Sequence, residues 1–268
     1  MYNPAMPFQK SEKVSYYIFE IFAKEPVVQA VFTRNGGVSS SPWAELNVGS
    51  TVGDEMVNVS ENLRRSFSAL GRDPQTMYDS WLVHGTDVLI AEHPADGPRD
   101  ESRKADILLT NKPGVTLFMR YADCVPVFLY DPENSVVGLV HAGWRGTIKR
   151  AAGNAVAAMT SHFCSSPASI RAAIGPSICQ DHYEIGPDVA NQVGMEFGEA
   201  AADFLLRDNG SLYFDLRQAN QATLRQSGVV QIEDADICTA CNLETWFSHR
   251  GEAGRTGRFG AMFGLADE

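Results

Sequence analysis

Two short segments carry the residues best suited to chemistry. Tyr121-Ala-Asp-Cys124 ends in a soft thiolate donor, and one hairpin later His141-Ala-Gly-Trp-Arg-Gly146 opens with an imidazole. A third segment, Leu82-Val-His-Gly-Thr-Asp87, supplies His84. Two His and one Cys with no obvious fourth ligand form the donor set of a catalytic zinc site, whose open position holds water or substrate. Alone, Cys124 reads as a small buried hydrophobe ahead of the apolar run Val125-Pro-Val-Phe-Leu-Tyr130. Its neighbours Arg120 and Asp123 argue otherwise, because charge of both signs gains nothing beside a core filler, and a nearby Arg or His lowers a thiol's pKa toward neutrality.

Beyond His141, Gly143 and Gly146 allow close backbone approach where a helix should begin near Thr147. The free N–H groups of such a helix start, with Arg145 and Lys149, suit a phosphate or carboxylate; the competing role for Arg145 is a structural ion pair. His84 sits in a tight turn, where histidines are commonly idle, and gains weight only from the other two ligands. Asp87 and Asp123 are both placed to orient a ligating imidazole, and the sequence does not choose between them. His93, His162 and His182 lie in polar or helical settings and receive no role.

Cys238-Thr-Ala-Cys241 is a lone C-x-x-C. A closed zinc site needs four ligands, and His249, eight residues further on, falls outside the usual spacing. The pair therefore reads as structural or buried cysteines rather than as a metal site. The Gly-rich tail from Gly251 to Gly264, with Arg255 and Arg258, matches neither a P-loop nor a dinucleotide fingerprint.

The elements that must position these residues are densely β in the middle of the chain. Strands are expected over Asp106–Thr110, Val115–Arg120, Val125–Tyr130 and Val136–His141, separated by the turn sequences Asn111-Lys-Pro-Gly114 and Asp131-Pro-Glu-Asn134. Further strands are expected over Val27–Thr33, Trp81–His84, Val88–Ala91, Ile170–Ile174 and Phe259–Phe263. Helices are expected over Asp54–Leu70, Thr147–His162, Pro187–Phe197 and Asp215–Gln226, the last capped by Asp215. Strands joined by hairpins with helices inserted between groups favour an α+β fold with a mixed sheet, flanked by helices, over a doubly wound parallel sheet.

No internal repeat, low-complexity tract or Pro/Gly/Ser-rich linker divides the 268 residues, so residues 1–268 read as one catalytic domain, with 1–24 at its periphery. Glu92–Lys104, with Pro94, Gly97 and Pro98, reads as an exposed loop. The formal net charge of −11 argues against a nucleic-acid coat or an anionic membrane surface, though a local Arg cluster can still hold a small anion. Five dispersed Cys, an N-terminus with Pro, Lys and Glu where a signal peptide needs an apolar run, and no stretch of roughly 20 apolar residues together point to a reducing compartment, the cytoplasm.

These residues resemble a family. Thr33-Arg-Asn-Gly-Gly-Val-Ser39, Leu46-Asn-Val-Gly49, Glu61-Asn-Leu-Arg64 and Val83-His-Gly-Thr86 match its motifs. So do Ala122-Asp-Cys-Val-Pro126, His141 to Gly146, Ile174-Gly-Pro-Ser-Ile178, Cys238-Thr239, Ser248-His-Arg250 and Thr256-Gly-Arg258. The chain resembles the bacterial proteins labelled multicopper polyphenol oxidoreductase (laccase) domain proteins, also described as zinc-dependent purine nucleoside phosphorylases and as peptidoglycan editing factors. The likeness begins after the first two dozen residues. It implies a fold similar to that of deamidating toxins and cysteine hydrolases, His84, Cys124 and His141 as metal ligands, and phosphorolysis of adenosine, inosine and related nucleosides such as methylthioadenosine, accompanied by adenosine deamination. On this reading Arg145 and Arg34 hold phosphate, Asp123 shuttles a proton, and the partners are nucleoside and phosphate rather than nucleic acid or membrane. The family commonly has Thr before Ala-Asp-Cys and Gln before Val-His-Gly, where this chain has Tyr121 and Leu82. Those departures bear on pocket shape and hydrogen bonding, not on the ligand set.

Copper is the alternative metal, since two His and one Cys also make a blue-copper set. A laccase needs a trinuclear copper cluster as well, and the chain has only six His. Zn2+ is therefore the expected ion and polyphenol oxidation the weaker reading. Two further alternatives stand beside phosphorolysis: amide hydrolysis in peptidoglycan precursors by a Cys124/His141 nucleophile–base pair, and a non-enzymatic zinc-holding protein.

Overall fold

A computed structural model describes residues 7–97 and 101–266. Its strands and helices follow in chain order. The N-terminal part holds β1 (Phe8–Ser11), β2 (Val14–Tyr17), β3 (Val27–Phe32), α1 (Met56–Ala69), β4 (Met77–Tyr78) and β5 (Val88–Ile90). The centre holds β6 (Ile107–Thr110), β7 (Thr116–Tyr121), β8 (Val125–Asp131) and β9 (Val136–Ala142). Helices α2 (Trp144–Ile148) and α3 (Ala151–Phe163) follow, then β10 (Arg171–Ile174), β11 (Glu184–Ile185) and α4 (Pro187–Phe197). The chain ends with β12 (Leu205–Asp208), β13 (Ser211–Phe214), α5 (Leu216–Gln226), β14 (Gln231–Asp234) and β15 (Phe259–Leu265).

Two six-stranded mixed sheets form the molecule, in the orders β1-β2-β3-β15-β7-β4 and β14-β10-β8-β9-β6-β5, with a small antiparallel sheet β11-β13-β12 beside them. The expected α+β class is observed, with two large sheets in place of one. Period-2 alternation explains the layering. In β8, Phe128 and Tyr130 face the first sheet, packing with Phe19, Leu117, Phe259 and Phe263, while Val127 and Leu129 face α3 and α5. On the far side of the first sheet, Phe118 and Met262 pack on Phe67 of α1. The result is four layers: α1, sheet, sheet, and the α2–α5 group.

Three expectations are corrected. Residues 8–22, expected at the periphery, add two strands to the first sheet and bury Phe19 and Phe22 between the sheets, with the Phe19 ring 5.1 Å from that of Phe128. The helix expected over 147–162 is broken into α2 and α3 by Arg150, which takes a left-handed φ of 58°. Residues Trp81–His84 form no strand: Trp81 makes one isolated bridge to Lys104, and His84 turns left-handed at φ 58°. Asp215 caps α5 as expected, accepting from the Gln218 N–H at 2.9 Å. Of the loop expected over 92–104, residues 98–100 lie outside the described residues.

Candidate metal centre and its cavity

The β8–β9 hairpin sets the first two donors. Pro126 pairs in register with His141, so Cys124, just before β8, reaches the same end of the sheet as the last residues of β9. His84 arrives from the turn ahead of β5, which pairs in parallel with β6 and so lies two strands from β9 in the same sheet. The ligand atoms of His84, Cys124 and His141 all lie within 4.8 Å of one another. The three residues share a cavity of about 510 Å³, within the usual range for small-molecule sites.

One buried carboxylate organises the two histidines. Asp106, at the start of β6, accepts from the backbone N–H of Val83 (3.1 Å), His84 (3.0 Å) and Gly85 (2.7 Å) and bonds His141 Nδ1 at 2.8 Å. The amide bonds fix the left-handed turn that presents His84. The Nδ1 bond makes Nδ1–H the donor and leaves Nε2 of His141 as the ligand atom. Burial opposes the charge on Asp106, but His141 and the amides outweigh it and hold the carboxyl below its usual range. Asp106 thus takes the orienting role for which Asp87 and Asp123 were the candidates. Its sequence signal was a carboxylate immediately ahead of the apolar run Ile107-Leu-Leu109.

The donors fit a metal. Burial pushes the Cys124 thiol up, yet His141 and His84 together bring it down to about 6. Burial likewise pushes the His141 imidazole down, and Cys124 and Asp106 bring it up to about 9. A thiol brought down and an imidazole brought up by one another form a donor pair whose proton a bound cation would replace. Gly143 gives the space: a Cβ there would lie 2.8 Å from His84 Cδ2 and 3.0 Å from Cys124 Sγ. Two nitrogens and one thiolate would leave a bound ion with a further position open to water or substrate.

The remaining predicted residues fall elsewhere. Arg145 is exposed, stacked over the Trp144 ring at 5.1 Å and outside the cavity lining. Arg34 is also outside it, with its guanidinium bonded to the carbonyls of Ala44 and Leu243 and paired with Glu252 at 3.0 Å. The helix start after Gly143 is a five-residue helix, and the cations lining the cavity come from distant segments: Arg120, Arg250 and Arg258. Arg120 is paired with Asp79 at 2.7 Å. Among the described residues Arg250 and Arg258 form no ion pair; their guanidinium groups donate to backbone carbonyls of His182 and Glu184, and of Thr256 and Gly257. Asp123 lines the cavity, but its two oxygens accept from the Thr239 hydroxyl and the Arg250 N–H, both at 2.7 Å. Leu82 lines the wall, and buried Tyr121 lies behind His141 with its hydroxyl donating to the Val140 carbonyl.

A family model described as multi-copper polyphenol oxidoreductase laccase matches residues 28–266. The chain belongs to this family. Among its relatives, a purine nucleoside phosphorylase of Deinococcus radiodurans is 38% identical over 89% of both chains. Purine nucleoside phosphorylase YfiH of Escherichia coli is 35% identical over 87% of this chain and 91% of its own. Among solved structures, YlmD of Geobacillus stearothermophilus superposes with a TM-score of 0.87 at 30% identity, covering 97% of this chain and 99% of that one. A Bacillus licheniformis YfiH structure does so with the same TM-score at 31% identity, with the same coverage. Both solved structures superpose over nearly the whole chain, so they share its two-sheet fold. No helix among the described residues is long and apolar enough to cross a membrane.

Proposed function

We propose that this chain is a zinc-dependent purine nucleoside phosphorylase acting on adenosine and inosine, with methylthioadenosine as a further substrate and adenosine deamination as an accompanying activity. The observation that carries the reading is the three-donor set His84, Cys124 and His141 lining one cavity together with Arg250 and Arg258, two cations that form no ion pair among the described residues. The names of the relatives support it. An ion held by these three donors supplies Lewis acidity at its open position.

The chain's own residues account for the rest. In phosphorolysis a phosphate oxygen bonds to C1′ of the ribose as the C1′–N9 bond breaks, and its electron pair leaves on the purine, which takes up a proton. Arg250 and Arg258 offset the negative charge of the incoming phosphate. Trp81, Leu82 and Tyr183 give the base an apolar and aromatic surface. Asp106 keeps His141 in one tautomer, and Gly143 leaves room for the side chains of His84 and Cys124.

Incubation of the zinc-loaded protein with inosine, with and without phosphate, tests this. Hypoxanthine and ribose 1-phosphate should appear only when phosphate is present; phosphate-independent release of base would sink the proposal.

A second reading rests on a specific arrangement. Cys124 with its thiol near 6, His141 beside it and Asp106 behind that imidazole have the order of a nucleophile, base and orienting carboxylate. It proposes amide hydrolysis through a thioester on Cys124. Trapping an acyl adduct on Cys124 with a peptidoglycan-precursor amide supports it; absence of any adduct in the metal-free protein excludes it.

A further inference from the structure

The lone Cys238-x-x-Cys241 acquires its missing partners in the fold. Ser177 and Cys238 form an isolated parallel bridge, with Ser177 N–H donating to Ile237 O and Thr239 N–H to Ser177 O. That bridge lays the segment Cys179-Gln-Asp-His182 against the C-x-x-C. The Sγ atoms of Cys179, Cys238 and Cys241 and Nδ1 of His182 lie within 4.8 Å of one another. Nδ1 is 3.3 Å from Cys179 Sγ, 3.5 Å from Cys241 Sγ and 4.0 Å from Cys238 Sγ. A tetrahedral zinc with ordinary Zn–S and Zn–N bonds separates its S and N ligands by about 3.6 Å. One imidazole nitrogen cannot serve three thiols as hydrogen bonds, having a single proton or a single lone pair. It can occupy one vertex of a tetrahedron whose other vertices they fill.

From this geometry we infer that Cys179, His182, Cys238 and Cys241 form a second, closed metal site of Cys3His type that takes Zn2+ and is structural rather than catalytic. No vertex is left for substrate, in contrast to the three-donor set. The Cys179 N–H donates to Cys238 Sγ at 3.3 Å, an outer contact of the kind that orients ligating thiolates. The site clasps two chain segments that the parallel β10–β14 pairing and the Ser177–Cys238 bridge bring side by side, and both serve the cavity wall. Tyr183 follows His182 and lines the cavity, and Thr239 follows Cys238 and holds Asp123, the neighbour of Cys124. The Arg250 guanidinium donates to the carbonyl of His182 itself.

Metal counting on the full-length protein tests the inference without reference to any activity. The protein, saturated with Zn2+ and freed of excess, should hold about two ions per chain. Cys241→Ser and Cys179→Ser should each lower the count to about one, while His84→Ala/Cys124→Ser should also leave about one, at the second site. Co2+ in that double variant should show the thiolate charge-transfer intensity of three sulfurs. A measurement without substitutions covers the case in which a variant misfolds. Exposed Cys241 should be alkylated by a maleimide in the metal-free protein and protected in the zinc-loaded one, with exposed Cys164 alkylated in both as control. A single ion in the wild type that persists in Cys241→Ser, or Cys241 alkylated equally with and without zinc, would overturn the inference. So would a disulfide among Cys179, Cys238 and Cys241 in zinc-loaded protein freshly purified without reductant.

Discussion

Asp106 shows how much one buried group can do. Its carboxylate accepts three backbone N–H groups and the His141 ring, so Asp106→Asn would turn an NH2 group toward donors that need an acceptor. We expect zinc affinity at the three-donor set to fall about 10–100-fold, read by competition with a chelating dye. The thiolate–imidazolium pair makes a second prediction at this scale, for the metal-free chain. The Cys124 thiol is brought down to about 6, so its contribution to stability is present above the ordinary thiol range and lost as pH falls through about 6. The His141 imidazole is brought up to about 9, so its contribution is present below the ordinary imidazole range and lost as pH rises through about 9. Between those two values the trends oppose and nearly cancel, so the melting temperature of the metal-free protein should change little from about pH 6 to about 9, as scanning calorimetry would read. Zinc binding at neutral pH must expel the His141 proton, so calorimetry in buffers of different ionisation enthalpy should record about one proton released. For Arg258, half-buried and charged beside Cys124 and Asp123, substitution by Gln should raise the KM for phosphate by about tenfold or more, read from initial rates with inosine in excess.

At the scale of elements, the turn from β9 into α2 is the most constrained. Gly143 has a φ of −72°, which any residue adopts, so its requirement is space and not backbone conformation. Gly143→Ala should fold with nearly unchanged stability while its methyl displaces His84 and Cys124. The expected outcome is weaker zinc binding and roughly 100-fold lower kcat/KM, the cost of misplacing reacting groups by about an ångström. A large loss of melting temperature in the metal-free variant would instead mean that the turn itself cannot accept a side chain. The two left-handed non-glycine residues at this site, His84 and Asp123, are each held by carboxylate–amide bonding: Asp106 binds the amides around His84, and Asp123 itself binds the Arg250 amide. That is where stored backbone strain of about 1–3 kcal/mol per residue is commonly found.

Across the whole molecule, the site hangs on the packing of the two sheets. Phe19 and Phe22 close one end of that interface, against Phe128 and Phe263. Phe19→Ala should cost about 3–5 kcal/mol in denaturant unfolding, as for other fully buried aromatic residues. A stability loss below 1 kcal/mol would return residues 8–22 to the periphery where the sequence alone placed them.

Most helices and central strands were legible because their signals are local. The apolar runs of β6 to β9, the turn chemistry between them and the Asp215 cap each act within a few residues. His84, Cys124 and His141 were legible as a set by donor chemistry and by family motifs. The break at Arg150 was not, since an Ala-rich stretch carries no local stop signal and only packing of α2 on α4 and α5 imposes one. Nor were Asp106, Arg250 and Arg258 legible as parts of the cavity, because each arrives by strand pairing or a long loop. His182 and Cys179 lie 56 and 59 residues from Cys238, and no spacing rule connects them. The sequence by itself therefore determined the donor types and the elements that carry them. Tertiary structure alone decided which carboxylate orients them, which arginines face the cavity, and that a lone cysteine pair has two partners. Hydrogen-bond and apolar patterns act over one or two turns of chain, whereas the closure of a site depends on contacts between segments far apart in it.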